Sequence, residues 1–195
     1  MSDLVFGPVP SRRLGRSLGI NSIPHKVCSY ACVYCQVGRT AELTAERREF
    51  LPPARLAREV EQRLRELRSR GEPVDYLAFV PDGEPTLDSR LGETIEALRP
   101  LGVPVAVLSN ASLVDRGDVQ DDLLRADWVS LKVDAVRPEA WHRVNRPHGR
   151  LRLEDVLRGG LRFARRFRGT LATETMLVSG VNDSEADVEA AARHL

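Results

Sequence analysis

Five times along the chain, a short apolar run typical of a β-strand is followed by a stretch typical of an α-helix. The predicted strands cover residues 17–23, 75–80, 103–108, 127–133 and 170–177. In the first helix an apolar residue recurs every three or four positions, at Leu56, Val60, Leu64 and Leu67. Strands that alternate with helices form parallel sheets, because each helix returns the chain to the same end of the sheet. The sequence therefore predicts an α/β protein with a mainly parallel sheet.

The composition restricts the function classes open to this chain. It has 29 basic and 28 acidic side chains, so the net charge of +1 does not indicate a binder of nucleic acid or another polyanion. The N-terminal stretch MSDLVFGPVPSRR lacks the apolar run of a signal peptide, and no later stretch is long enough to span a bilayer. We therefore expect a cytoplasmic protein with no membrane partner, in a compartment where thiols stay reduced.

All three cysteines of the chain, Cys28, Cys32 and Cys35, fall within the segment CSYACVYCQ. Clustered cysteines in a reducing compartment indicate a metal site or catalysis rather than disulfides. One alternative is that they are buried free thiols on one face of a helix. Another is a zinc site with His25 as the fourth ligand, although structural zinc usually joins two separated ligand pairs across a fold. The third is a 4Fe-4S cluster on three cysteines, which leaves one iron open to a substrate.

The spacing Cys-x3-Cys-x2-Cys, with Tyr34 directly before the last cysteine, resembles the defining motif of the radical S-adenosylmethionine (radical SAM) superfamily. The whole stretch FGPVPSRRLGRSLGINSIPHKVCSYACVYCQVGRT is similar to the N-terminal portion of a branch grouped with wyosine-base (4-demethylwyosine) synthases. The segments DGEPTL, VLSN and SLKVDA follow where that branch carries its later motifs. The resemblance therefore covers most of the chain.

This resemblance implies a fold, two cofactors and a reaction. The fold is an open partial (β/α) barrel, and Cys28, Cys32 and Cys35 hold the 4Fe-4S cluster. S-adenosylmethionine occupies the remaining iron through its amino and carboxylate groups. One electron from the reduced cluster cleaves it to a 5′-deoxyadenosyl radical, which abstracts hydrogen from a substrate. A flavodoxin or ferredoxin is the implied electron donor.

Polar residues follow two predicted strands at their carboxyl ends, where parallel α/β folds bind ligands. Asp82, Gly83 and Glu84 follow the second strand, and Asn110 follows the third. Taken alone, Asp-Gly-Glu-Pro reads as a turn before a helix. By resemblance the segment corresponds to the family's Gly-Gly-Glu motif, with Asp82 in place of the first glycine. This resemblance implies that Glu84 binds the methionyl amine. Asn110 is a candidate for the ribose or the carboxylate.

The fourth predicted strand alternates apolar residues with the polar residues Ser130, Lys132 and Asp134. A polar face inside a barrel indicates a ligand cavity, because a purely structural interior is lined by branched apolar residues. Lys132 on a solvent-facing edge is the alternative. By resemblance, Ser130 and Lys132 are further candidates for the ribose and carboxylate of S-adenosylmethionine, and Tyr34 for its adenine. Glu174 either faces the substrate or forms a salt bridge on the surface.

Two expectations concern the whole protein. Family barrels have six strands, so five strand-helix units lead us to expect a single core domain over residues 1–195, truncated at its C-terminus, or a partner that supplies the missing strand. Wyosine-base synthases use extra cysteines for a second cluster, which this chain does not have. The substrate stays open between RNA modification, with tRNA as a partner, activation of a glycyl-radical enzyme, and modification of a small molecule. A zinc-binding interaction module is the alternative from another functional class.

Overall fold

The computed structural model describes residues 4–195, so residues 1–3, the start of the stretch searched for a signal peptide, lie outside the described residues. The strands are β1 (Val5–Ser11), β2 (Gly15–Ile20), β3 (Val27–Cys28), β4 (Glu42–Leu43), β5 (Tyr76–Phe79), β6 (Val105–Ser109), β7 (Trp128–Lys132) and β8 (Thr170–Glu174). The helices are α1 (Pro53–Ser69), α2 (Leu91–Leu98), α3 (Gly117–Leu123), α4 (Pro138–Asn145), α5 (Leu153–Arg166) and α6 (Glu185–His194). Short 3₁₀ helices cover Pro85–Leu87 and Arg99–Leu101.

The main sheet has the strand order β1-β2-β5-β6-β7-β8. The five strands β2, β5, β6, β7 and β8 run parallel, each beside the next in that order, as the sequence predicted. A sixth strand is present, but it is β1, which pairs antiparallel with β2 at the N-terminal edge. The sequence did not predict β1 because Pro8 and Pro10 interrupt it. An edge strand tolerates proline, since the missing N–H can face away from the sheet, and the β1–β2 register shifts between Phe6 and Val9.

Helices α1, α2, α3 and α5 pack on one face of this sheet. The predicted stripe of α1 is fully buried, and burial of each such side chain contributes about 1.5–3 kcal/mol to folding. It packs in one core with Leu77 and Phe79 of β5 and Val107 of β6. On the opposite face a smaller cluster contains Leu14 and Trp128. Both faces of the parallel strands are therefore covered, as parallel sheets require.

Helix α4 was absent from the sequence prediction, because its eight residues contain only a short apolar pattern. Trp141 and Val144 of α4 pack against Tyr30 of the cysteine segment. Helix α6 begins after Ser184, whose hydroxyl accepts a hydrogen bond from the Asp187 backbone N–H at 3.2 Å, and the spacing of these two residues is typical of a capping box. None of the helices within residues 4–195 combines the length and apolar character needed to cross a bilayer.

Candidate functional site

A cavity of about 210 Å³ lies where β5, β6, β7 and β8 end. Its wall contains all ten residues to which the sequence assigned a site role, namely Cys28, Cys32, Tyr34, Cys35, Asp82, Gly83, Glu84, Asn110, Ser130 and Lys132. They come from three strand ends and from the segment CSYACVYCQ, residues 28–36, called the cysteine loop below. The fold thus brings the predicted residues together, while the role of each stays a prediction.

The cysteine loop is held by backbone hydrogen bonds to the end of α4. The N–H of Ala31 donates to the carbonyl of Asn145 at 2.9 Å, and the N–H of Val33 donates to the carbonyl of Val144 at 3.0 Å. The last carbonyls of a helix have no partner within the helix. The loop supplies those partners, so the fold itself anchors its backbone at two points.

Each thiol sulfur receives one side-chain N–H donor, and each donor comes from a different part of the chain. Asn110 Nδ2 lies 3.5 Å from Cys28 Sγ, and Asn145 Nδ2 lies 3.5 Å from Cys32 Sγ. The Lys26 ammonium donates to Cys35 Sγ. Such donors favour a thiolate, the form that binds a metal.

Burial acts on the thiols in the opposite direction. It raises the pKa of Cys28 to about 12, with the nearby Glu84 carboxylate adding to the rise, and it raises the pKa of Cys32 as well. Without a metal these two thiols are therefore protonated at neutral pH. A metal that binds here must displace their protons, so its affinity will rise with pH.

Gly83 and Glu84 connect the end of β5 to the cysteine loop. A Cβ atom at Gly83 would collide with the carbonyl oxygen of Val27, the residue before Cys28. That carbonyl also accepts a hydrogen bond from the Glu84 N–H at 3.2 Å. Glycine at position 83 is therefore required by the close approach of the protein's own backbone, and the residue also lines the cavity.

The Glu84 carboxylate is buried and accepts four hydrogen bonds. Its Oε1 accepts from the Thr86 N–H at 3.0 Å, the Thr86 hydroxyl at 2.6 Å and the Ser109 hydroxyl at 2.7 Å. Its Oε2 accepts from the Asn110 N–H at 2.7 Å. Burial raises the pKa of Glu84, and these donors limit the rise. The carboxylate thus ties the loop after β5 to the end of β6, and Oε2 keeps an acceptor position beside the cavity.

On the opposite wall, polar groups from β7 and β8 form a network. The Tyr34 hydroxyl donates to the Asp134 carboxylate, which lies 3.5 Å from the Lys132 ammonium. Lys132 also lies 3.9 Å from a Glu174 carboxylate oxygen and 5.2 Å from the centre of the Tyr34 ring. Arg13, from the turn between β1 and β2, pairs with Glu174. Glu174 therefore lines the cavity and also joins the two ends of the sheet.

The wall also carries a buried polar group without a partner. The Ser130 hydroxyl is enclosed and has no hydrogen-bond partner among residues 4–195. Ser22 has the other such hydroxyl among residues 4–195, and Ser130 is the one of the two at this cavity, where a polar ligand could serve as its partner. Three thiols with N–H donors and an unpaired hydroxyl on one wall fit an iron-sulfur cluster with a polar cosubstrate.

The zinc alternative is not supported by the geometry. His25, its proposed fourth ligand, is exposed and faces Asp82 with 3.4 Å between Nδ1 and Oδ2. Within residues 4–195, no three His, Cys, Asp or Glu side chains are grouped as ligands of a metal ion. Thiolates on different irons of a cluster stand further apart than the ligands of one ion, so this finding bears on zinc and not on the cluster.

Sequence reasoning missed Lys26 and Asn145, and it placed Asp134 on the polar face of the fourth strand without giving it a role. A signal for Lys26 was present, because Lys26 and Lys132 are the chain's only two lysines and both line the cavity. Asn145 had no comparable signal, and nothing in the sequence indicated that Asp134 contacts Tyr34. Asn145 lies 113 residues from the cysteine that it contacts, and Asp134 lies 100 residues from Tyr34.

Comparisons with known proteins agree with this geometry. The family model "Radical SAM superfamily" matches residues 22–192. The UPF0026 protein MJ1312 of Methanocaldococcus jannaschii is 50% identical over 185 residues, which are 95% of this chain and 57% of that protein. This chain therefore spans little more than half the length of that relative.

Two solved structures show the same fold. The structure of TYW1 with a lysine-pyruvate adduct bound has a TM-score of 0.63 at 17% identity and covers 87% of this chain and 58% of that one. A radical SAM methyltransferase from Sphaerobacter thermophilus has a TM-score of 0.66 at 18% identity and covers 92% and 52%. The TYW1 likeness is consistent with the wyosine-synthase-like branch predicted from the sequence.

Proposed function

Because the chain belongs to the radical SAM superfamily, a class of enzymes, we propose that it cleaves S-adenosylmethionine reductively and removes a hydrogen atom from a substrate. In this proposal Cys28, Cys32 and Cys35 hold a 4Fe-4S cluster. The observation that carries it is the single cavity lined by the three thiols, by every other predicted site residue, and by an unpaired buried hydroxyl.

The residues of the chain bind and orient the two groups. Cluster and cosubstrate, when bound, supply one-electron cleavage of the sulfonium carbon–sulfur bond and abstraction of hydrogen. Oε2 of Glu84 accepts the methionyl ammonium, since it receives only one hydrogen bond from the protein. Lys132 attracts the carboxylate, and Ser130 and Asn110 contact the ribose or carboxylate from the strand ends. Tyr34, held by Asp134, presents its ring to the adenine.

The substrate's reacting group occupies the space inside the curved sheet. A second cavity of about 430 Å³ shares Val37, Asp82, Gly83 and Leu108 with the first. The rest of its wall is largely apolar, with Phe6, Val9, Leu14, Ala78 and Val80. No lysine or arginine from the described part of the chain lines it. We therefore propose that the group that enters carries no negative charge, whether its carrier is RNA, a protein glycyl site or a small molecule.

Further parts of the proposal follow the sequence and the family. We propose that residues 1–195 form one core domain, that the protein works in the cytoplasm, and that a flavodoxin or ferredoxin donates the electron. The Arg13–Glu174 ion pair lies at the edge of the cavity, because Glu174 is part of its wall.

The test is anaerobic reconstitution with iron and sulfide, followed by measurement of iron, labile sulfide and 5′-deoxyadenosine. Electron paramagnetic resonance of the reduced protein should change when S-adenosylmethionine is added, because the cosubstrate binds the open iron. Cys32→Ala should abolish 5′-deoxyadenosine formation, whereas Val33→Ala, at an exposed position of the same loop, should keep it. One tightly held zinc without sulfide, or an unchanged yield from Cys32→Ala, would refute the proposal.

A further inference from the structure

We infer that Asn145 is a positioning residue that raises the reduction potential of the cluster by donating a hydrogen bond to Cys32 Sγ. The inference rests on the proposed function, because it requires a cluster on the three cysteines. It concerns a residue outside the sequence motifs, at the end of α4.

The orientation of the Asn145 amide follows from its neighbours. Nδ2 lies 2.7 Å from Oδ2 of the Asp134 carboxylate and 3.5 Å from Cys32 Sγ. An amide oxygen at that place would face a carboxylate oxygen, so the amide presents its NH2 group. That group has two hydrogens, one for Asp134 and one for the sulfur. The Tyr34 hydroxyl donates to the same carboxylate and keeps Asp134 in place.

A hydrogen bond to a ligating sulfur makes a cluster easier to reduce. It withdraws negative charge from the sulfur and so stabilises the reduced state, which carries one more negative charge. Asn145 is 3% exposed, and a buried environment strengthens the interaction. The donor therefore favours the electron transfer that precedes cosubstrate cleavage.

Asn145 differs from the other two donors in its position. Lys26 and Asn110 line the cavity, so replacing either would also change the cosubstrate site. Asn145 lines a separate small cavity behind the wall. Its backbone carbonyl, which accepts from Ala31, is kept by any side-chain substitution. A substitution thus keeps the loop anchor and every residue of the cavity wall, although it removes one donor from the Asp134 carboxylate, which Tyr34 and Lys132 continue to contact.

The experiment measures the midpoint potential of the reconstituted cluster by redox titration without S-adenosylmethionine. In Asn145→Ala, and in Asn145→Leu with nearly the original volume, the ratio of oxidised to reduced cluster at a fixed potential should rise up to about tenfold, equivalent to ~59 mV for one electron. Asn145→Gln keeps an amide donor, so its midpoint potential should lie close to that of the wild type.

Asn182→Ala is the matched control. Asn182 is also buried and also donates to Asp134, at the backbone carbonyl and 2.7 Å away, but its hydrogen bonds include none to a sulfur among the described residues. The midpoint potential of the cluster in Asn182→Ala should equal that in the wild type. Equal potentials in wild type, Asn145→Ala and Asn145→Leu would overturn the inference. So would loss of iron from both variants while Asn182→Ala retains it, because Asn145 would then build the site rather than tune it.

The two proposals fail in different ways. A wild-type protein that assembles no iron and sulfide refutes the proposed function, and this inference with it. A wild-type protein with a full cluster whose potential ignores Asn145 refutes this inference alone.

Discussion

Removal of the Glu84 carboxylate should destabilise the protein even when no cofactor is present. In Glu84→Ala the backbone N–H groups of Thr86 and Asn110 lose their acceptor, whereas the hydroxyls of Thr86 and Ser109 can rotate to other partners. An unsatisfied buried donor costs about 1–3 kcal/mol, so the two together cost about 2–6 kcal/mol. Part of this cost is offset, because the substitution also removes a charged carboxylate whose burial is unfavourable. We expect a net loss of about 2–4 kcal/mol, a large share of the 5–15 kcal/mol typical of a domain.

Glu84→Gln should fall between Glu84→Ala and the wild type. A glutamine keeps one oxygen for the three donors around Oε1, but its NH2 group then faces the Asn110 N–H. One buried donor is left unsatisfied instead of two, which predicts a loss of about 1–3 kcal/mol. Glu59→Ala, at an exposed position of α1, is the matched control and should leave stability unchanged.

The assay is urea unfolding of the iron-free protein, followed by circular dichroism under anaerobic reducing conditions. Absence of the cofactor separates the contribution of Glu84 to the fold from any contribution to ligand binding. If Glu84→Ala is as stable as the wild type, the four hydrogen bonds do not support the fold, and the reasoning from buried donors is wrong. The carboxylate would then matter for the cosubstrate alone.

Three further predictions follow from the same structure. Gly83→Ala should lower the melting temperature and the iron content, because its Cβ would collide with a backbone carbonyl, whereas Gly160→Ala in α5, with no described atom within 4 Å of its Cβ, should raise the melting temperature slightly. Arg47→Met should cost about 3–5 kcal/mol in urea unfolding, because two aspartates lose a buried partner, whereas Arg48→Met on the surface should change little. Burial raises the pKa of Asp88 from 3.8 to about 6, so the folded protein loses stability as this carboxyl ionises. Between pH 4 and pH 7 the stability of the wild type should fall by up to ~3 kcal/mol more than that of Asp88→Asn. Parallel plots of unfolding free energy against pH for the two proteins would contradict this.

The parts of the fold that the sequence predicted are those with a local signal. The stripe of α1 has four apolar residues over about three turns, and the parallel strands are short apolar runs between turn residues, so each can be recognised without knowledge of its neighbours. Strand β1 could not be recognised in this way, since two prolines argue against a strand except at an edge, and a local pattern does not show which strand is the edge. Helix α4 is stabilised mainly by the contact of Trp141 with Tyr30, more than a hundred residues away in sequence.

In the candidate site, too, the residues with a local sequence signal were predicted and those without one were not. The cysteines and the residues at the strand ends follow from a motif and from the topology of parallel sheets. The side chains that hold them do not, because their partners are set by tertiary structure. Lys26, Asn145 and Asp134 contact the cysteines and Tyr34 from distant parts of the chain, and the close contact of Gly83 with the Val27 carbonyl is likewise set by tertiary structure.

The docking of the cysteine loop on the end of α4 bears on how the protein tolerates oxygen. Exposed clusters decompose in air, and a loop shaped by its metal would collapse at that moment. Here two main-chain hydrogen bonds, from Ala31 and Val33, tie the segment to α4 through atoms that a metal on the three thiols does not use. Loss of a cluster from the proposed site would therefore break neither bond, and reassembly would start from a segment already attached to α4.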